Sequence, residues 1–451
     1  MSDELKSHLA GLGPERLAES LMELSQRSKD AHELVERMTA SSKSNVQRYK
    51  SKLAALKRQK RFVDWREARP FVRELENMLE DLRAAGVDPE TGVKLTADFF
   101  RCDGVVFERC DDSNGNIGDV FRFGARDLFV HYAAHCQDKA ALVDIVIDLM
   151  GKDDYGIRDA VVDAAGEYLP PDSMRLLIER FWDMADRVPN PDDARHWHRQ
   201  IESVARQSKD APTFEKARRK SSRELSANAF IDIGRAYLES GDPKTALDWL
   251  TRAHTADRDE LLLVAHRALG NEKDAATVAW RMFNGYRSKE TLDTLLSIIG
   301  KERREEVIAG EVKTILETPD YSSSNAAFLL ACGRTDESEA YVLNRRDKLN
   351  GEFYASLLPI AESFESSGRW VAATVIYRAL LDSILRRAVS KYYHHGVRYL
   401  KKLDALDKKI ADWQCVSPHT VYSSQLKETH ARKSSFWQGY HGRRGNTNRQ
   451  N

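Results

Sequence analysis

The loop Asp111 to Asp119 places Asp112, Asn114 and Asn116 on alternate residues, the pattern by which an EF-hand presents hard oxygen ligands to calcium. The rest of that pattern is missing. The glycine falls at Gly115, Ile117 takes the sixth position, and Phe123 stands where a bidentate Glu is required. Short polar side chains in this order instead predict a turn that caps a helix starting near Ile117, by accepting its free amide hydrogens. A second cluster, His394, His395, Cys415, His419 and His430, offers imidazole and thiolate for zinc. No pair in it has finger spacing, so neither a metal nor a cofactor is expected.

The stretch Lys43 to Arg61 carries Lys43, Arg48, Lys50, Lys52, Lys57, Arg58, Lys60 and Arg61 and no acid. Cations at this density, with Tyr49 and Phe62 among them, can grip phosphates and release counterions. The contacts would come from Lys50, Lys52, Lys57, Arg58, Lys60 and Arg61. The competing reading is a solvated face, or one docked on acids such as those of Glu74 to Asp81. For catalysis there is no Gly-rich phosphate loop, GxSxG elbow or HExxH, and no Cys/His pairing with local context. Asp153-Asp154 and Asp192-Asp193 read as helix starts, where carboxylates favour the helix dipole. The chain is therefore expected not to be an enzyme, an active site scattered along the sequence being the third reading. Arg432, Lys433, Phe436 and Trp437 near the end read either as a partner contact or as the seal on a last helix.

These residues must be held by helices. Apolar residues recur at three- and four-residue spacing through most of the chain and alternating β-branched runs are scarce, so an all-α fold is predicted. Of 451 residues, 41% are hydrophobic and 31% charged, a balance suited to helical repeats with much exposed surface. Seventy basic residues face seventy acidic ones, so a polyanion would have to be recruited by a local patch. Five cysteines without CxxC spacing fit free thiols in a reducing compartment, and the short apolar stretches carry acids, as Asp144 and Asp148 do within Ala140 to Met150. A cytoplasmic protein with no membrane span is expected.

Composition shifts divide the chain into an N-terminal helical segment (1–85) holding the basic helix, a helical domain (86–221) holding the Asp/Ser/Asn turn, a repeat region (222–440) and a disordered tail (441–451). Phe230, Ile233, Gly234, Tyr237, Gly241, Ala246, Leu250 and Ala253 match the tetratricopeptide pattern, with Arg258 where its closing proline is usual. In that pattern small residues let two antiparallel helices approach. Leu357, Ile360, Ala361, Phe364, Gly368, Ala373, Tyr377 and Leu380 repeat the same spacing. Poorer copies lie around Gly270 and Gly333. Units that cannot bury their apolar faces alone must stack, which predicts an α-solenoid.

Arg61-Phe62-Val63-Asp64-Trp65-Arg66, the run Glu108 to Phe121 with its Asp-Asp-Ser-Asn-Gly-Asn core, and His430-Ala431-Arg432-Lys433-Ser434-Ser435-Phe436-Trp437 together resemble an uncharacterised bacterial helical-repeat family, a domain of unknown function met mainly in proteobacteria. The part from Gly351 to Gln438 is similar to the tetratricopeptide-like region of SWIM zinc finger proteins, although the CxCx…CxH ligand set is absent. The resemblance implies a fold and brings no activity with it. The function expected from the sequence is a protein-interaction scaffold whose solenoid groove binds a partner peptide or helix; the alternative is a nucleic-acid-associated adaptor using the basic helix.

Overall fold

The computed structural model describes residues 3–151 and 153–442. Its regular structure is all-α: α-helices joined by short turns and single 3-10 turns, with one six-residue π segment, Val120–Ala125. Among the described residues there is no strand, and strand-like pairing is confined to an isolated parallel bridge between Val63 and Cys110. Of the expected tail, His441 closes the last helix, Ser434–His441, and residues 443–451 lie outside the described residues. The chain divides into two compact units, Met1–His254 and Thr255–Asn451. The boundary drawn at 221/222 falls inside the first unit, between the helices Ala211–Ser221 and Ala227–Glu239, which pack together.

In the first unit the helix Ser42–Arg58 packs along Ala68–Ala85 through Tyr49, Leu53 and Leu56 on one side and Leu75, Met78 and Leu82 on the other. Beside them Phe99, Phe100, Phe121 and Phe129 form a buried aromatic core with ring centroids 4.9 to 6.4 Å apart. Asp88 starts the helix Pro89–Phe100 by accepting the Thr91 amide at 2.9 Å, and Pro89 supplies a first-turn residue with no amide to satisfy. Asp103 and Arg158, both buried, meet in a two-point ion pair at 2.7 Å, and Arg158 donates a further bond to the Leu149 carbonyl. Each buried charge is thus matched where water cannot reach it.

From Ala227 onward the helices come as hairpins. Alternate turns contain a glycine with positive φ: Gly241, Gly270, Gly300, Gly333 and Gly368, at intervals of 29 to 35 residues. Four of these turns share one hydrogen-bond pattern. The residue after the glycine donates to a carbonyl five residues back: Asp242 to Tyr237, Asn271 to His266, Arg334 to Leu329, Arg369 to Phe364. That wrap closes the first helix and needs a left-handed residue, which glycine adopts without a Cβ penalty.

Inside the hairpin Ala227–Glu239 with Pro243–Leu250, a Cβ on Gly234 would come within 2.6 Å of the buried Leu250 side chain. Ala246, Ala361, Phe364, Ala373 and Tyr377 are fully buried, Tyr237 is 9% exposed and Phe230 is half-buried against Trp249. Gly241 and Gly368 lie exposed in their turns. In the second unit the helix Ser323–Ala331 packs on Tyr354–Ser366, and Thr335–Asn344 on Trp370–Arg387, first helix on first and second on second.

Candidate binding pockets of the C-terminal unit

The helix Trp370–Arg387 is apolar almost all the way round, and most of its side chains are buried, as expected for a helix with neighbours on every side. Ala388, in the left-handed conformation, ends it. Val375, Arg378, Ala379 and Asp382, spaced by three or four, lie on one of its faces, and Leu380, Ile384 and Arg387 lie on another. Each face lines a cavity.

The first cavity, of about 980 Å³, is walled by Arg346, Arg378, Asp382, Arg386, Tyr422, His430 and Lys433. Its loop wall is anchored by a small apolar cluster in which Val416 and Trp413 pack against Leu343, Val371 and Val375. Arg378 is only 8% exposed. Its guanidinium lies 4.5 Å from the Tyr422 ring centre and 5.1 Å from that of Trp413, and donates to the Ser417 carbonyl at 2.8 Å. Among the described residues Nε and Nη2 have no hydrogen-bond partner, and burial lowers the group's pKa. Tyr422 donates its hydroxyl to Asp382 at 2.6 Å. The protein crowded around Asp382 raises its carboxyl above the usual range, opposed by that hydrogen bond and by the charges of His430, Arg378 and Arg386. Burial, helped by Lys433, lowers His430.

The second cavity, of about 380 Å³, is bounded by Tyr354, Leu358, Leu380, Ile384, Tyr392 and Tyr399, with Arg387, His395 and Arg398 also lining it. Its wall is tight at Gly351, where any Cβ would collide with the Ala379 backbone. Phe353 and Tyr354, 65% and 62% exposed, stand beside it.

The basic helix is partly consumed by its own fold. Buried Asp81 receives Arg37 at 3.0 Å and Lys52 at 2.8 Å, with Arg48 at 3.8 Å, and Arg61 pairs with Glu67. Lys50, Lys57, Arg58 and Lys60 stay exposed. The following loop exposes Phe62 and Trp65, with Arg66 5.1 Å from the Trp65 ring centre. Val63 of that loop bridges to Cys110: its amide donates to the Arg109 carbonyl at 2.8 Å and its own carbonyl accepts from Asp111 at 3.1 Å. The bridge brings the first two motif segments together.

The loop after Cys110 caps a helix, with the Asp112 carboxylate accepting the amides of Ile117 and Gly118 at 2.8 and 2.9 Å. Among the described residues no three His, Cys, Asp or Glu side chains gather as metal ligands. His419 bonds Asp404 at 2.9 Å, the His394 and His395 rings lie tilted against each other with centres 3.9 Å apart, and Cys415 and His430 line the larger cavity. Burial raises the Cys102 and Cys110 thiols to about 11, the opposite of what a nucleophile needs. Of the last motif, Phe436 is fully buried against Tyr393, while Lys433 faces the cavity.

Sequence reading missed Arg378, Asp382 and Tyr422. The available signal was two charges, at 378 and 382, inside an otherwise apolar helical run. A family model described as a family of unknown function, DUF6880, matches residues 5–439, so the chain belongs to that family. No curated protein matches it.

Proposed function

We propose that this DUF6880 member is a non-enzymatic protein-interaction scaffold, its helix pairs stacked as a solenoid that seats a peptide or helix of a partner protein. The observation that carries the reading is the apolar cavity beside Phe353 and Tyr354. A small, partly open apolar pocket lined also by Arg, with exposed aromatics at its edge, has the make-up of an interface hot spot. Free cysteines support a reducing, cytoplasmic setting, and no helix among the described residues is long and apolar enough to cross a membrane. The bacterial setting and the SWIM-like character of Gly351 to Gln438 belong to the same reading.

Affinity capture with wild-type protein, set beside Leu358→Asp and Tyr354→Ala variants of unchanged helix content, tests it. A partner held by wild type and released by at least tenfold in the variants is expected, since a hot-spot side chain contributes about 2 kcal/mol or more. Equal recovery by all three proteins removes the groove from the account.

Exposed Phe62 and Trp65 favour a second reading, the nucleic-acid adaptor. Its contact set is narrowed to Lys50, Lys57, Arg58 and Lys60 with Arg66, because Lys52 and Arg61 are paired. Single-stranded oligonucleotides should bind at low salt and dissociate as salt rises. Absence of binding at low salt ends that reading.

A further inference from the structure

We propose that the larger cavity, under Arg378, binds a phosphate monoester. The proposal rests on the binding-protein reading above and names a ligand chemistry for a different face of the same helix.

The fold treats its other buried arginines differently. Arg37 and Arg158 face Asp81 and Asp103, and Arg345, without a carboxylate, spends its guanidinium on the carbonyls of Leu316, Thr318 and Tyr341. Arg378 has one carbonyl and two aromatic faces, and among the described residues no carboxylate lies within ion-pair distance of it. A buried charge left unmatched is costly, and it projects a positive potential into whatever space adjoins it. The adjoining space is the cavity.

Arg346, Arg386 and Lys433 line the same space, and no ion pair to a described residue is found for any of them. Two carboxylates share the cavity, and Asp382 is already engaged by the Tyr422 hydroxyl. Four fixed cations against two carboxylates leave room for a dianion, with His430 beside them as a further donor. A phosphate monoester is close to doubly charged at neutral pH and offers three acceptor oxygens. Guanidinium groups match those oxygens in geometry as well as charge. At about 980 Å³ the cavity is far larger than one phosphate, so the ester's organic body enters with it. The cations converge on a concavity and do not run along a stripe, which selects a single phosphoryl group over a polyanionic backbone.

Roles follow from placement. Arg378, clamped between Trp413 and Tyr422, supplies field from the floor. Arg346, Arg386 and Lys433 supply the direct contacts, and Asp382 holds Tyr422 over the guanidinium.

Calorimetric titration of the full chain with phenyl phosphate, with a serine-phosphorylated peptide and with that peptide unphosphorylated separates the sources of the phosphoryl group. Saturable binding of either phosphorylated probe and none of the unphosphorylated peptide is expected, the tighter probe telling whether the ester is a small molecule or a modified protein. The Arg386→Ala/Lys433→Ala double variant, which alters side chains outside the core, should weaken that binding at least tenfold, and Arg378→Met should weaken it as well. A Lys50→Ala/Lys57→Ala control should leave it unchanged. No binding of either phosphorylated probe to folded wild type, or equal binding by the Arg386→Ala/Lys433→Ala variant, overturns the proposal. Loss of phosphate binding with partner capture intact leaves the scaffold reading standing; equal partner recovery by wild type and Leu358→Asp, with phosphate binding intact, removes the scaffold groove and leaves the phosphate site.

Discussion

Buried charge is what distinguishes individual residues in this chain. Asp103 and Arg158 satisfy each other out of water, and removing one partner leaves the other buried and unmatched. Asp103→Asn is therefore expected to cost about 3 to 5 kcal/mol, measured as a fall in the urea midpoint at neutral pH. A loss under about 1 kcal/mol would show that water reaches Arg158. Neither member of this pair could be read from the sequence, because they lie 55 residues apart and meet only when the chain folds. Arg378 was hidden for the same reason: its ring neighbours come from residues 413 and 422. Local spacing did single out Cys415, His430 and Lys433, but it suggested zinc or a partner contact where the fold places them around a basic cavity.

At the level of elements, the helices were the most legible part of the sequence, because amphipathic periodicity is local and the caps are written into neighbouring residues. The Asp112 turn was readable in this way, and its carboxylate holds the two amides that open the next helix. The π segment Val120–Ala125 was not, since its residues carry an ordinary helical pattern. Asp242 opens the helix Pro243–Leu250 by accepting the Thr245 amide at 3.0 Å, and the hydrogen bonds at Thr245 lower its pKa below the usual carboxylate value. A depressed folded-state pKa means stability that is present above the ordinary Asp pKa and is lost as pH falls through the depressed one. Asp242→Ala should thus cost about 1 kcal/mol at neutral pH, and the gap to wild type should close in acid as the cap protonates. Chemical denaturation at two pH values checks this; a gap that persists in strong acid would assign the loss to packing.

For the whole molecule, composition foresaw an extensive charged surface and the repeat pattern foresaw helix pairs. Neither could foresee two compact units with the division after His254, since that depends on which hairpins share a core. Both cavities belong to the second unit, on different faces of one buried helix. The hairpin turns carry a final implication. Because each positive-φ glycine stops its helix by bonds confined to its own turn, adding or deleting one cassette of 29 to 35 residues does not disturb the register inside the others. Length variation among relatives is then expected to come in steps of whole hairpins.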